Sequence, residues 1–322
     1  MKFATISHLL DENNINFIPK SWVKGDIIVS PELDVNGTKG YIIALKNLPK
    51  EVMGFSRDEI RKRILKTAIY ARNELNVDII QLGALTTSVT SGGKWLVQQK
   101  EYTGYVTHGD SYTAAVTCQV VKKALGLRNK DPSEQTLTII GAYGIIGEAV
   151  SKILIPDFKH TILIGRRKEK LDELKTKIEG DFETTIELNT KNADVILAAT
   201  SHPTALLKSY HLKKNAIIVD VSQPPNLNLE VCKERPDILR ADGGYVDFPE
   251  KYAFPIPGLP PGKNFACIAE VIMQTMENEK ANYVGSIDMN YLKKTEAWGE
   301  KYKFKLNNIS NFGKTIQVEP DE

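Results

Sequence analysis

The chain has 322 residues, with 42 Lys and Arg against 40 Asp and Glu and a formal net charge of +2. Its near-neutral charge without a basic block argues against bulk binding to nucleic acid or anionic membranes, and its length predicts two domains. Three scattered cysteines, the lack of an apolar run of ~20 residues and the lack of a signal-peptide core predict a cytoplasmic protein without disulfides, bound metal or integral membrane association.

The first third of the chain is predicted to alternate strands with an amphipathic helix. The helix extends from Ser56, its N-cap, to Leu75, because apolar residues recur there at helical spacing. Apolar strands are predicted on either side of it, at 40–45 and 77–82. This pattern is typical of an α/β domain, which we place at 1–112 and interpret as the substrate-binding or acyl-binding domain.

Two polar segments in this domain follow predicted strands. The first is 83–88, and the second comes after a β-rich piece at 102–107 and precedes a helix from about Thr113 to Leu125. Binding groups of α/β proteins often lie on loops at strand ends. The candidate substrate-binding residues are therefore Thr86, Ser88, Asp110, Ser111 and Tyr112.

A regular alternation of strands and helices begins near Lys130 and indicates a doubly wound parallel sheet. We place this second domain, of Rossmann type, at 113–285. Its short apolar strands are predicted at 137–140, 161–164, 195–198, 216–221 and 238–240. The fold class is therefore α/β, with an N-terminal α/β domain followed by the Rossmann-type domain. The segment 286–322 carries spaced aromatic residues and is expected to pack back onto the domains.

A glycine-rich segment, 141–147, follows the first of these strands and precedes an amphipathic helix, as in dinucleotide-binding proteins. Gly141 permits the tight turn, Gly144 lets the backbone approach a pyrophosphate, and Gly147 lets the helix pack closely. The spacing is GxxGxxG rather than GxGxxG, and a turn that binds nothing is the alternative. The predicted cofactor contacts in this segment are Gly141, Tyr143, Gly144, Ile145, Ile146 and Gly147.

The end of the next strand predicts which nicotinamide cofactor binds. Sites for NAD usually carry Asp or Glu at this point to bind the ribose 2′-hydroxyl, whereas this chain has Arg166 and Arg167. Guanidinium groups pair well with a 2′-phosphate, so the sequence favours NADPH. The alternative is that these arginines and Lys168 form the solvated start of a helix over 168–178.

Hydroxyl residues follow the strand predicted at 195–198. In folds of this type the nicotinamide ribose passes close to the backbone at this edge of the sheet. Thr200 and Ser201 are therefore further candidate cofactor contacts, although the same residues are also common in ordinary turns.

Cys267 lies at the predicted start of a helix that extends to about Asn278, with Asn264 as its N-cap. Unpaired N–H groups and the helix dipole lower the pKa of a cysteine in the first turn, which would make Cys267 a usable nucleophile. A buried cysteine that serves as a small hydrophobic side chain is the alternative that the residues alone leave open.

The chain also resembles a known family over nearly its whole length. The resemblance lies in the segments 3–9, 82–88, 109–114, 141–147 and, above all, 265–270. These segments are similar to those of the long-chain acyl-[acyl-carrier-protein] reductases of cyanobacteria, which reduce fatty acyl thioesters to aldehydes with NADPH. The resemblance implies that Cys267 is catalytic and carries the acyl group as a thioester. The chain departs from the family pattern at Asp110, Tyr112 and Tyr143, where the family has Asn, His and Thr.

Three functions follow as hypotheses. The first is an NADPH-dependent reductase that converts an acyl thioester, on acyl-carrier protein or coenzyme A, to an aldehyde through a Cys267 acyl-enzyme. The second is an oxidoreductase similar to shikimate dehydrogenase, which acts directly on a small hydroxy or amino acid with a Lys/Asp pair and no covalent step. The third is a nicotinamide-binding regulatory module without turnover.

Overall fold

A computed structural model describes residues 1–9, 18–202, 204–250, 254 and 259–316. The chain divides into two compact units. Unit 1 comprises Met1–Tyr112 and Val246–Lys305, and unit 2 comprises Thr113–Tyr245 and Leu306–Glu322. The predicted extent of the second domain is therefore wrong for 246–285. This segment belongs to unit 1 because its helix packs against strands of that unit's sheet.

Unit 1 contains a seven-stranded sheet in the order β2-β3-β5-β1-β6-β7, with β4 also paired to β5. Strands β1, β5, β6 and β7 are parallel, whereas β2, β3 and β4 join through antiparallel pairs. The strands are β1 (Phe3–His8), β2 (Val23–Lys24), β3 (Ile27–Val29), β4 (Leu33–Val35), β5 (Thr38–Leu45), β6 (Ile79–Leu82) and β7 (Tyr105–Thr107).

Unit 2 contains a six-stranded parallel sheet in the order β10-β9-β8-β11-β12-β13. This is the Rossmann strand order, in which the first and fourth strands lie side by side at the switch point. The strands are β8 (Thr136–Ile140), β9 (His160–Ile164), β10 (Phe182–Thr185), β11 (Val195–Ala198), β12 (Ile217–Asp220) and β13 (Leu239–Asp242). The predicted α/β fold class is confirmed.

The α-helices are α1 (Pro49–Gly54), α2 (Arg57–Glu74), α3 (Leu85–Val89), α4 (Lys94–Val97), α5 (Asp110–Leu127), α6 (Ile145–Leu154), α7 (Lys168–Lys175), α8 (Leu229–Glu234), α9 (Ala266–Met276) and α10 (Met289–Tyr302). Two small two-stranded sheets pair β14 (Tyr245–Asp247) with β15 (Lys263–Phe265) and, in antiparallel fashion, β16 (Ser310–Asn311) with β17 (Lys314–Thr315). In the part of the chain that the structure describes, no helix is both long and apolar enough to cross a membrane.

The helix predicted from Ser56 is confirmed as α2. The Ser56 hydroxyl accepts a hydrogen bond from the Glu59 N–H at 3.2 Å, which satisfies one of the free donors at the helix start. Ile60 and Ile64 on one face of α2 are fully buried and join a core cluster with Ile6 of β1. The helical spacing of these apolar residues thus directs one face of α2 into the core of unit 1.

Two local predictions in unit 1 need correction. The segment 83–88, expected as a loop, turns into α3, because the Thr86 hydroxyl donates to the Gly83 carbonyl and stabilises the tight turn. Helix α5 begins at Asp110 rather than Thr113. Its first turn is capped by a carboxylate from a distant part of the chain, which sequence periodicity does not reveal.

The described residues of the C-terminal segment divide between the two units. Helix α10 packs on α9 in unit 1, and residues from 306 onward belong to unit 2. In unit 2 the buried Asp242 carboxylate accepts hydrogen bonds from the Ser310 hydroxyl at 2.9 Å and the Gly313 N–H at 2.7 Å. The guanidinium of Arg240, 3.9 Å from the centre of the Phe312 ring, strengthens this attachment.

Candidate active site

The glycine-rich loop of unit 2 needs glycine for different reasons at its three positions. Gly141 has φ +85°, and a Cβ there would overlap the Ala199 carbonyl oxygen beyond β11. A Cβ at Gly147 would overlap the carbonyl oxygen of Gly141. At Gly144 the backbone is extended, with φ −71°, and a Cβ would lie 3.0 Å from the Gly141 oxygen. Gly141 and Gly147 are thus required by the fold, whereas a Cβ at Gly144 would meet a less severe overlap.

The loop presents free donors at the N-terminus of α6. The first intrahelical bond runs from the Glu148 N–H to the Gly144 carbonyl at 2.9 Å, so the amides of Ile145, Ile146 and Gly147 come before the bonded ladder. Such amides, together with the helix dipole, favour a phosphate group. The loop lies at the switch between β8 and β11, and its geometry fits a dinucleotide pyrophosphate.

The two predicted arginines lie beyond the end of β9. Arg166 and Arg167 are exposed, and the Arg167 guanidinium carbon lies 5.5 Å from the centre of the Tyr143 ring. The same ring packs on Gly165, where a Cβ would overlap it. Tyr143 therefore links the glycine loop to the arginine segment. Sequence reasoning missed this contact, because glycine at 165 carries no signal of its own.

Thr200 and Ser201 lie just beyond β11, next to the glycine loop. The Thr200 N–H donates to the Ser222 hydroxyl at 3.2 Å, which ties this loop to the end of β12. Ser201 is exposed. Both residues are therefore at the sheet edge where the predicted cofactor contacts would lie.

Cys267 is the second residue of α9 in unit 1. The predicted N-cap is off by one position: Phe265 caps α9, and Asn264 lies in β15. The Asn264 side-chain oxygen instead accepts the Phe265 N–H at 2.8 Å, which fixes the backbone just before the helix. Residues 257 and 258 of the preceding Pro/Gly-rich segment lie outside the described part of the chain.

The loop before α5 closely approaches Cys267. Gly109 has φ +72°, and a Cβ at this position would lie 2.5 Å from the Cys267 Cβ and 2.8 Å from its Cα. Only glycine combines this backbone conformation with such a close approach. The starts of α5 and α9 therefore meet at Gly109 and Cys267, although these residues are 158 positions apart in the sequence.

Glu270, one turn after Cys267 on α9, is fully buried. Its Oε2 atom accepts the Tyr112 N–H at 2.7 Å, and its Oε1 atom accepts the Thr107 hydroxyl at 2.8 Å. Burial outweighs these hydrogen bonds and raises the pKa of Glu270 to about 7. Burial, and then the charge of Glu270, also raise the pKa of Asp110 well above its ordinary value.

The pKa of the Cys267 thiol is raised, so the expected lowering is wrong. The residue keeps some solvent exposure, but burial among protein atoms disfavours the thiolate, and the carboxylates of Asp110 and Glu270 act in the same direction. The backbone amides of Cys267 and Ile268 do lower the pKa, as a helix N-terminus should. Their effect is smaller than that of burial and the two acids.

His108 completes the surroundings of Asp110. Its ring is fully buried, and its Nδ1 atom accepts the Asp110 N–H at 2.9 Å and lies 3.6 Å from the Asp110 Oδ2 atom. Burial lowers the pKa of His108 to about 4, so the ring is neutral near pH 7 and supplies no charge to stabilise a thiolate. Sequence reasoning assigned no role to His108 or Glu270. The spacing of Cys267 and Glu270, three residues apart on one helix, was an available signal.

The other predicted substrate residues have different environments. Thr86 is fully buried, and its hydroxyl bonds to the Ile6 and Gly83 carbonyls. The hydroxyl of Tyr112 donates to the Phe304 carbonyl, and a Cβ at Gly299 would overlap that hydroxyl. These contacts give Thr86 and Tyr112 structural roles.

Ser111 is also buried, whereas Ser88 is exposed on α3. Of the five candidates, Asp110 directly follows Gly109, the residue that lies against Cys267, and its charge acts on the Cys267 thiol. Among the described residues, no group of three or more His, Cys, Asp or Glu side chains is arranged to hold a metal ion.

Comparisons with known proteins agree with this fold. Residues 121–237, within unit 2, match the family model "Shikimate / quinate 5-dehydrogenase". The long-chain acyl-[acyl-carrier-protein] reductase of Synechococcus elongatus is 26% identical over 298 residues, which cover 87% of this chain and 86% of that protein. The aminotransferase PigE of a Serratia species is 22% identical over 256 residues, which cover 76% of this chain and 30% of that protein.

Among solved structures, the L-tryptophan dehydrogenase of Nostoc punctiforme aligns with 94% of this chain and 80% of its own, at 12% identity and a TM-score of 0.44. The sheet order, the glycine loop and the family match define the class of this protein: it is a Rossmann-type, NAD(P)-dependent oxidoreductase. Within that class, its amino-acid sequence is similar to that of the S. elongatus acyl-[acyl-carrier-protein] reductase over most of both chains.

Proposed function

We propose that this protein is an NADPH-dependent reductase that converts an acyl thioester, carried on acyl-carrier protein or coenzyme A, to an aldehyde through an acyl-enzyme on Cys267. The observation that carries the proposal is the position of Cys267 in the first turn of α9, against Gly109 and beside Asp110. The similarity to the S. elongatus reductase extends over 86% of that protein and supports the same chemistry. In this proposal unit 1 binds the acyl group and unit 2 binds the cofactor.

The residues of unit 2 that would hold NADPH are those of the glycine loop and the neighbouring strand ends. The amides of Ile145 and Ile146 would bind the pyrophosphate, and Arg166 and Arg167 would pair with the 2′-phosphate. Thr200 and Ser201 would contact the nicotinamide ribose. When bound, NADPH supplies the hydride that reduces the acyl carbonyl.

Cys267 performs the covalent steps. Its thiol loses a proton and attacks the thioester carbonyl, and the carrier thiol leaves with a proton while the acyl group stays on sulfur. After reduction, the bond between carbon and sulfur breaks, which releases the aldehyde and restores Cys267. Because the pKa of the thiol is raised, Cys267 rests in its protonated form, and its proton must be removed as the substrate reacts.

Intact-protein mass spectrometry tests the proposal. Incubation with palmitoyl-coenzyme A or a palmitoyl carrier protein, without NADPH, should add one acyl group to Cys267, and later addition of NADPH should remove that mass and yield aldehyde. Cys267→Ser should take up no acyl group and lose reduction but still bind NADPH. Cys232→Ser is the matched control, since Cys232 is also partly exposed but lies in unit 2. Undiminished reduction by Cys267→Ser would rule out the acyl-enzyme.

A second candidate function is direct hydride transfer to a small hydroxy or amino acid, without a covalent step. The family match over 121–237 favours it, and unit 1 contains a Lys/Asp pair, with the Lys263 ammonium 2.7 Å from an Asp247 carboxylate oxygen. In this case Lys263→Met should abolish activity on a small hydroxy acid such as shikimate, and Cys267→Ser should retain it. Acyl transfer to Cys267 would decide against this candidate.

A further inference from the structure

Two carboxylates face Cys267, and their surroundings differ. Glu270 is fully buried, and both of its oxygens accept hydrogen bonds from the segment around the start of α5. The Asp110 side chain keeps 16% of its surface exposed, and the His108 ring lies 3.6 Å from its Oδ2 atom. Glu270 is therefore occupied as a helix cap, whereas part of the Asp110 side chain is open to solvent.

We propose that Asp110 is the proton-transfer residue of the acyl-transfer step, which receives the Cys267 proton and returns it to the departing carrier thiolate. This inference rests on the proposed function. Transfer takes place directly or through one water molecule, both of which are common in general acid–base catalysis.

The backbone that precedes Asp110 lies against Cys267. The preceding residue, Gly109, contacts the Cβ of Cys267, and the bond from the Asp110 N–H to His108 fixes the backbone at this point. Asp110 is also the first residue of α5, so its side chain leaves the helix at the end that meets α9. The sequence position of Asp110 and the close approach at Gly109 together keep its carboxylate near enough to Cys267 for its charge to act on the thiol.

The other titratable groups near Asp110 are poorly suited to accept the proton. The buried His108 ring has a pKa lowered to about 4, which makes it a weak base near neutral pH. The hydroxyl of Tyr112 is bound to the Phe304 carbonyl, and that of Tyr291 is bound to Gln274 at 3.1 Å. Glu270 holds the start of α5. Asp110 is therefore the titratable group of this cluster that is open to solvent and does not serve as a helix cap for another segment.

The charge of this cluster also favours transfer of the proton to Asp110. Loss of the thiol proton to solvent would place a thiolate beside two carboxylates in a partly buried site, which is electrostatically costly. Movement of the proton from Cys267 to Asp110 leaves the total charge of the cluster unchanged. The acids that hold the resting thiol protonated thus also provide the acceptor for its proton.

The step balances in atoms and charge. The S–H bond of Cys267 breaks and an O–H bond forms on Asp110, while the sulfur bonds to the acyl carbon and the bond from that carbon to the carrier sulfur breaks. The proton on Asp110 then passes to the carrier sulfur, which leaves as a thiol. Nothing is oxidised or reduced, and Asp110 ends the step as a carboxylate.

The Asp110→Asn variant distinguishes proton transfer by Asp110 from a purely electrostatic effect, in which the Asp110 charge only disfavours the thiolate of Cys267. Removal of the charge should raise the thiolate fraction of Cys267 in either case, and this fraction is measured by the rate of alkylation with iodoacetamide. Acyl uptake from palmitoyl-coenzyme A without NADPH is measured by intact mass. If Asp110 transfers the proton, the ratio of acylation rate to alkylation rate should fall about 100-fold or more. A ratio that is unchanged or higher would overturn the proposal.

Asp58→Asn is the matched control, because Asp58 also lies in the first turn of an 18-residue helix of unit 1 but is exposed and far along the chain from Cys267. It should leave the ratio unchanged. Asp110→Glu, which keeps a carboxylate, should recover part of the ratio. If wild-type protein takes up no acyl group, the proposed function and this inference both fail. If wild-type protein does take up the acyl group and Asp110→Asn leaves the ratio unchanged, only the inference about Asp110 fails.

Discussion

The Glu270 carboxylate on α9 accepts a hydrogen bond from the Tyr112 N–H at 2.7 Å, so a side chain of one helix caps the first turn of another. A carboxylate at a helix N-terminus is favourable because it satisfies a free donor and complements the helix dipole. Here the cap lies in a fully buried position, and its burial has a cost that depends on pH.

The free energy of unfolding should depend on pH because Glu270 is buried. Because folding raises the pKa of Glu270 from 4.5 to about 7, protonated Glu270 stabilises the fold below pH 4.5, and this contribution is lost as the pH rises to about 7. Relative to Glu270→Gln, which does not titrate, wild-type protein should lose up to ~3 kcal/mol of unfolding free energy between pH 5 and pH 8. Urea unfolding of both proteins across this range measures the difference, and parallel curves would contradict it.

The reactivity of the Cys267 thiol should follow its raised pKa. Near pH 7 we expect iodoacetamide to alkylate Cys267 more slowly than free cysteine, because the thiolate is rare, and the rate should still increase above pH 9. Glu270→Gln should speed the reaction, since it removes a nearby negative charge. Mass spectrometry of alkylated peptides measures the rate, and urea-unfolded protein is the control. A rate that levels off below pH 8 would show that the thiol pKa is not raised.

Cofactor preference should depend on the two exposed arginines after β9. If they bind a 2′-phosphate, NADPH should bind more tightly than NADH, and Arg166→Ala or Arg167→Ala should weaken NADPH by about 1.5–3 kcal/mol, roughly ten- to a hundredfold, with little effect on NADH. Lys168→Ala is the matched control, because Lys168 is the next residue and pairs with Asp172. Titration calorimetry gives the affinities. Equal binding of both nucleotides by wild-type protein would end this interpretation.

Substitutions at two glycines of the loop should affect nucleotide binding and stability differently. Gly144→Val should abolish nucleotide binding, because a side chain at this position of the loop would occupy the space in which the backbone approaches a pyrophosphate. Its melting temperature should fall less than that of Gly147→Ala, since φ −71° suits any residue and the Cβ would lie 3.0 Å from the Gly141 oxygen rather than overlap it. Gly147→Ala should instead lower the melting temperature by about 5 °C or more, since its Cβ would overlap the Gly141 carbonyl oxygen. Calorimetry and nucleotide titration of the two variants test this contrast. Retained binding by Gly144→Val would mean that the pyrophosphate lies elsewhere.

Unit 2 could be predicted in most respects because its signals are local. Buried parallel strands appear as short apolar runs, and the turn between β8 and α6 needs glycines at fixed positions. The one strand of this sheet that the prediction missed, β10 (Phe182–Thr185), lies at the edge and is partly exposed, so it lacks an apolar run. The Tyr143 contact with Gly165 was also out of reach, since it joins two segments that are separate in sequence.

The sequence by itself determined that this chain has a Rossmann-type unit with a phosphate-type loop, and that Cys267 begins a helix. Only the tertiary structure decided the environment of that cysteine. Asp110 and Gly109 come near it because α9 returns to the sheet of unit 1, although Gly109 and Cys267 are 158 positions apart in the sequence. Glu270 lies on the same helix as Cys267, but only the fold buries its carboxylate there. The start of α9 follows from residues that are close in the sequence, whereas the desolvation of Cys267 and the charges around it depend on which residues the fold brings near. The helix N-terminus alone would lower the pKa of the thiol. Burial and the two acids outweigh that effect and raise it.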